Sequence, residues 1–121
     1  MEYRPFQRDQ LNRENGADAQ RLLPWPVLNA PFEGSWCVVP PGGATGTHAH
    51  HEYEIFIALT GEAEVEAEGE RRPFRAGDIV HFYPHAAHRV INDGASEFEF
   101  YCVWWDTDMT ARFLDRHKAG V

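Results

Sequence analysis

The sequence predicts an all-β fold in one domain, a small barrel or sandwich followed by a short C-terminal helix. Three observations carry that expectation. Polar and apolar residues alternate strictly in several short stretches, most plainly Glu62-Ala63-Glu64-Val65-Glu66-Ala67-Glu68. Turn-forming glycine, proline and asparagine recur at intervals of roughly 8 to 12 residues, as in small β proteins. Helical periodicity is confined to the last stretch, 107–119. With 121 residues, 43 % of them hydrophobic, the chain can build a core without staples. No repeat or linker divides it. The expected layout is an N-terminal arm and strap over 1–33, a barrel over 34–106 and a helix over 107–121.

In chain order, residues 1–21 are polar and mixed in charge, with a short helix expected around Arg8 to Glu14 and a turn at Asn15-Gly16. Leu22-Leu23-Pro24-Trp25-Pro26-Val27 reads as an extended strap, because its prolines forbid helix and its large apolar side chains need a surface. It should run along the barrel wall or across a dimer seam. Ser35 to Val39 is a strand closed by Pro40-Pro41-Gly42-Gly43. A strand from His48, a turn at Thr60-Gly61-Glu62 and the glutamate strand then form a meander. Arg71 to Arg75, Ile79 to Tyr83 and His88 to Ile91 are further strands, with turns at Gly69, Ala76-Gly77-Asp78 and Asn92-Asp93-Gly94. In the final strand Glu97 and Glu99 should face water, turning Phe98, Phe100, Cys102 and Trp104 inward. Met109, Phe113 and Leu114 share one helical face, with Asp106 or Thr107 as cap and Gly120 as stop. That helix packs back on the barrel or begins a connector to a partner domain.

A net charge of −8 argues against nucleic acid as a partner, since no basic stripe faces a phosphate backbone. No apolar run is long enough to cross a bilayer and no leader opens the chain, so the cytoplasm is the expected location. The glutamates at 62, 64, 66, 68 and 70 share one parity, read as a solvated strand face or an acidic docking patch. Cys37 and Cys102 lie inside apolar runs. They read as buried small hydrophobes, with a cavity-lining thiol as the alternative.

The chemistry concentrates in His48-Ala49-His50-His51-Glu52-Tyr53-Glu54 and in His88. Three imidazoles and a carboxylate suit a divalent transition metal. On a strand, His48 and His50 point to one face while Ala49 points away, and Glu54 keeps their parity. Four protein ligands leave two positions open on an octahedral iron, manganese or nickel. Zinc prefers four ligands in all and would have to expand its shell or release Glu54.

These residues resemble the cupin family. Its first motif, G(x)5HxH(x)3E(x)6G, is met by Gly42, His48, His50, Glu54 and Gly61; its second, G(x)5PxG(x)2H(x)3N, by Gly77, His88 and Asn92. Tyr83 stands where proline is usual and His85 where glycine is usual, which puts the turn before His88 in question. The resemblance implies a double-stranded β-helix, or jelly-roll barrel, holding one divalent metal at His48, His50, Glu54 and His88. Such proteins often pair as homodimers.

Around that metal, Trp36, Phe56, Phe82, Phe100, Cys102 and Trp104 are the candidates to line a pocket for a small-molecule substrate. Arg89 and Tyr83, with Glu54, are the candidate catalytic groups, Arg89 reading either as a surface charge or as a clamp for a carboxylate. His51 and His85 should line the mouth or face solvent, and His81 should be a core histidine. The stretches 23–34, 48–57 and 100–106 are similar to the cupin part of bacterial hydrazine synthetases. That resemblance implies zinc acting as a Lewis acid in an N–N bond-forming rearrangement of an N-hydroxy-amino-acid ester, beside a methionyl-tRNA-synthetase-like partner. A non-haem iron dioxygenase or metal-dependent isomerase would use the same ligands, and a non-catalytic binding module remains open.

Overall fold

A computed structural model describes residues 1–118. Among them one 3-10 turn, Arg8–Gln10, precedes strands β1 (Asn12–Glu14), β2 (Ala17–Arg21) and β3 (Glu33–Val39). Then come β4 (Tyr53–Thr60), β5 (Glu62–Ala67), β6 (Glu70–Arg75), β7 (Ile79–Phe82), β8 (His88–Ile91), β9 (Phe98–Trp105) and helix α1 (Thr107–Lys118). The strands form two antiparallel sheets, β1-β2-β3-β9-β4-β7 and β6-β5-β8. The all-β expectation holds, as a jelly-roll barrel with one C-terminal helix.

Strand alternation builds the core. Val39, Phe56, Phe98 and Phe100 of the large sheet meet Val65, Phe74 and Val90 of the small one, and the Phe74 and Phe98 rings lie 5.5 Å apart. Burying each such side chain contributes roughly 1.5–3 kcal/mol. Tight hairpins set the register. Asn15 and Gly16, at φ 48° and 82°, and Glu68 and Gly69, at 49° and 79°, take the paired left-handed conformations of two-residue hairpin turns. At Gly61 a Cβ would stand 2.9 Å from Glu97 O, so the turn into β5 tolerates no side chain. Asn92, fully buried, ties the sheet ends together: its Nδ2 donates to Val39 O at 3.0 Å and Ser96 O at 2.9 Å.

Several expectations change. Residues 8–14 form one 3-10 turn and strand β1 rather than a helix, because Asn12–Glu14 pairs with Ala17–Ala19 across the Asn15-Gly16 turn. The segment 1–33 therefore contributes two strands, and β2 pairs with β3. Its strap remains at the surface, with Trp25 beneath the Arg4 guanidinium. The strand expected from His48 begins only at Tyr53. The glutamate strand ends at Ala67, since Glu68 belongs to the turn. Its outer carboxylates are paired: Glu64 with Arg71 at 3.1 Å and Glu66 with Arg89 at 3.0 Å. An acidic patch is thereby largely neutralised.

Glu99 does not face water. It is buried beneath the N-terminal arm, where Arg8 reaches it at 2.6 Å and Trp36 Nε1 donates to it at 3.2 Å. His81 is exposed rather than in the core, between the Tyr53 and Tyr83 rings. Helix α1 buries no residue. Asp106 Oδ1 caps it by accepting from Met109 N, and Arg116 Nε donates to Asn29 Oδ1 at 2.7 Å. The expected stop at Gly120, with Ala119, lies outside the described residues.

Candidate metal centre

The chain between Pro40 and Tyr53 is irregular but held in place. Single bridges join Ala44 to Ile91 and His48 to His88, so this segment runs beside β8. His88 N donates to His48 O at 3.1 Å, and His85 N donates to His50 O at 2.6 Å. His85 takes φ 68°, the left-handed conformation that explains why glycine is usual there, so the turn before His88 keeps its shape despite the change. Glu54 arrives from the start of β4, where register sets it between Phe82 of β7 and Trp104 of β9.

These elements bring the four predicted ligands together. His48, His50, Glu54 and His88 each offer a ligand atom within 4.8 Å of the others, a cluster that could hold a metal ion. Their hydrogen bonds test the fit. His88 Nδ1 donates to Ala86 O at 2.8 Å and His50 Nδ1 to Glu52 O at 3.2 Å. Those bonds assign each neutral ring's proton to Nδ1 and leave a lone pair on Nε2, an inference from the network. Both Nε2 atoms aim at Glu54 Oε1, from 2.9 Å and 3.0 Å. Three acceptors turned on one another, two of them on the buried Glu54 and His88, suit a cation between them. A divalent metal meets all the donors at once.

Packing fixes the rings. Phe82 stacks on His88 at 4.1 Å with an interplanar angle of 11°, and Phe56 meets it edge-on at 5.6 Å. His88 is 2 % exposed, so its orientation is set by its surroundings rather than by solvent.

The cluster opens into a cavity of about 260 Å³. Phe56, Phe100, Cys102 and Trp104 line it, as expected, and Phe82 lies behind His88. Three expected residues stand elsewhere. Trp36 has the opposite parity to its cavity-lining neighbours and lies on the outer face, stacked on Phe6 at 4.5 Å. Tyr83 is 72 % exposed past the end of β7. Arg89, on the outer face of β8, is occupied by Glu66. The clamp for a carboxylate is therefore not Arg89.

Sequence reading missed Glu14, Arg21 and Glu52 at the cavity's edge. The hairpin dipeptide Asn15-Gly16 held the signal, since it returns β2 alongside β1 and places Glu14 near Arg21. Both cysteines line the wall, with sulfurs 3.8 Å apart and unbonded. The hydrogen bond with Cys37, and then burial, push the Cys102 thiol well above its ordinary value, so it stays protonated. Beside them Ser35 Oγ is buried with no hydrogen-bond partner. At the mouth His51 spans Glu52 and Asp106, with Nε2 2.8 Å from Asp106 Oδ2. That contact first, then Glu52, raises the His51 pKa.

Compared with known proteins, residues 35–104 match the family described as Cupin domain (Cupin_2). The structure is similar to a Cupin 2 conserved barrel domain protein of Salinispora arenicola CNS-205, 56 % identical, with 97 % of this chain and 98 % of that one covered and a TM-score of 0.93. It is similar to the plu4264 protein of Photorhabdus luminescens at 39 % identity, covering 96 % and 97 % of the two chains, again with a TM-score of 0.93. An oxalate-binding protein of Thermotoga maritima is 35 % identical over 66 residues, 54 % of each protein. The chain spans about half the length of that curated relative. No helix among the described residues is long and apolar enough to cross a membrane.

Proposed function

Because the chain belongs to the cupin family, we propose that it is a metal-dependent enzyme acting on a small, amino-acid-derived molecule held inside the barrel. The observation that carries this reading is the meeting of His48, His50, Glu54 and His88 in one cluster, the first three of which line the cavity. These four residues would hold one divalent ion, with zinc favoured by the resemblance to hydrazine synthetases and iron(II), manganese or nickel by the ligand count. When bound, the ion supplies Lewis acidity toward a substrate oxygen.

The chain's own side chains do the rest. Phe56, Phe100 and Trp104 exclude water and set the width of the pocket. Glu14, Arg21 and Glu52 place both signs of charge at its edge, which suits a substrate with ammonium and carboxylate ends. The Thermotoga relative is described as oxalate-binding, and a small carboxylate ligand agrees with that setting.

In its narrower form the reaction is the rearrangement of an N-hydroxy-amino-acid ester to an N–N-bonded product, as in the cupin part of hydrazine synthetases. It is supported by the resemblance over 23–34, 48–57 and 100–106 and by the charge pattern at the cavity. A methionyl-tRNA-synthetase-like protein would then supply the ester. A dioxygenase or isomerase is the second reading, favoured by a ligand count that leaves two positions on an octahedral ion. The assembly proposed is a homodimer, supported by Tyr53 and Ile79, large and exposed on the outer face of β4 and β7. The proposed location is the cytoplasm, where neighbouring thiols stay reduced.

Incubating the metal-loaded protein with an ester of N-hydroxylysine and a small amino acid tests the narrower form. A hydrazine product by mass spectrometry supports it. Substrate-dependent oxygen uptake without that product overturns it in favour of a dioxygenase, and ligand binding that persists unchanged after metal removal favours a binding module.

A further inference from the structure

Arg21 of β2, half-exposed at the cavity's edge, is one of the charges there. Antiparallel register sets Arg21 opposite Ser35, Ser35 opposite Cys102 and Cys102 opposite Phe56, one inward row across β2, β3, β9 and β4. The adjacent inward row brings Trp104 opposite Glu54. Backbones three strands apart are separated by roughly 14 Å at about 4.8 Å per strand. Arg21 and Glu54 line the same cavity from the two sides of that span.

The Arg21 head group is oriented from two sides. Its guanidinium carbon lies 5.6 Å from the centre of the Trp104 ring. Its Nε donates to both carboxylate oxygens of Glu14, at 3.0 Å and 3.2 Å. Among the described residues no acceptor takes a hydrogen bond from its terminal amino groups. An oriented guanidinium with its end-on edge open presents the two parallel N–H donors that match a carboxylate. Glu14 approaches from the Nε side, fixing the plane of the fork without occupying that edge.

We propose that Arg21 anchors a carboxylate at the far end of the substrate while its near end lies at the His48, His50, Glu54 and His88 centre. The inference rests on the metal-centre reading and narrows the substrate class to short organic acids with a metal-binding group at the other end. The sequence offered Arg89 as a clamp, with a surface charge as the alternative. The fold assigns it to Arg21, because β2 faces the cavity and Arg89 faces out.

Two hydroxamic acids of equal length test it, since a hydroxamate head chelates divalent metals. One is glutaric acid monohydroxamate, with a terminal carboxylate; the other is pentanohydroxamic acid, with a terminal methyl. Calorimetric titration of the zinc-loaded protein should show the carboxylate compound binding about tenfold tighter, as expected of one charge-assisted, partly exposed contact. Arg21→Gln should abolish that advantage and leave the methyl compound's affinity unchanged, and Arg21→Lys should restore only part of it. Equal affinities in the unaltered protein, or an advantage that survives Arg21→Gln, overturn the anchor. Failure of the methyl compound to bind, or undiminished binding to His88→Ala, overturns the metal-centre reading on its own account.

Discussion

Glu54 Oε1 lies 2.9 Å from His88 Nε2, although 34 positions separate them in the chain. The contact joins the start of β4 in the large sheet to the start of β8 in the small one, and it closes the barrel at the point where a metal would sit. Sheet register and site geometry are therefore one constraint: a slip of one residue in β4 would turn Glu54 outward and Tyr53 inward.

Phe82 supports that constraint from behind. It is 2 % exposed and stacks flat on the His88 ring. Phe82→Ala should destabilise the protein by about 3 kcal/mol through the cavity it leaves. It should also weaken metal binding, whereas Phe82→Leu should largely preserve both. Chemical unfolding together with a competitive metal titration measures the two effects, and unchanged metal affinity in Phe82→Ala would remove its orienting role.

Arg89 serves the outer face. Its Nε bonds Glu66 at 3.0 Å across β5 and β8, both side chains being about one-third exposed. Arg89→Ala should cost no more than about 1 kcal/mol, as partly exposed ion pairs do, and should leave metal content and ligand affinity unaltered. A loss of ligand binding in that variant would return the arginine to the site.

Ser35 carries a buried hydroxyl without a hydrogen-bond partner. Leaving such a group unsatisfied costs about 1–3 kcal/mol, and removing it recovers part of that cost. Ser35→Ala should raise stability by about 1 kcal/mol, a rise of about 4 °C in Tm by calorimetry. A fall in Tm would show that the hydroxyl is bonded in solution.

Asp106 caps α1. Its pKa is lowered, first by the Met109 backbone N–H it accepts from and then by the hydrogen bond to His51. A carboxylate with a depressed folded pKa contributes stability above its ordinary value and loses it as pH falls through the depressed one. The cap should therefore survive below the ordinary carboxylate range and give way only in stronger acid. Asp106→Ala should fray α1 already at neutral pH, at a cost of about 1 kcal/mol. Amide exchange at Met109 and Thr110 reads both effects; protection that is insensitive to the substitution would contradict the cap.

Much of this was legible in the sequence, for identifiable reasons. Strand alternation showed Phe98, Phe100 and Cys102 facing inward, and the two spaced motifs named the four side chains that the fold brings into one cluster. Glu99 broke the polar-out rule because the N-terminal arm covers it with Arg8 and Trp36, a long-range contact that no local pattern encodes. Strands β1 and β2 were hidden by composition: Asn12–Glu14 is wholly polar, and its strand character comes from pairing with Ala17–Ala19. Arg21 went unrecognised for the same reason, as its direction depends on a strand that its own residues do not announce. His48 and His50 converge without lying on a regular strand, so the parity argument reached the right atoms through the bridge to β8 rather than through a ladder.

The central claim is that four side chains hold one divalent ion. Elemental analysis of the purified protein and of Glu54→Ala and His88→Ala tests it most directly. About one equivalent of a transition metal in the parent chain, falling to a small fraction in both folded variants, is the predicted result. Metal content undiminished in both variants, with circular dichroism showing intact barrels, would contradict it.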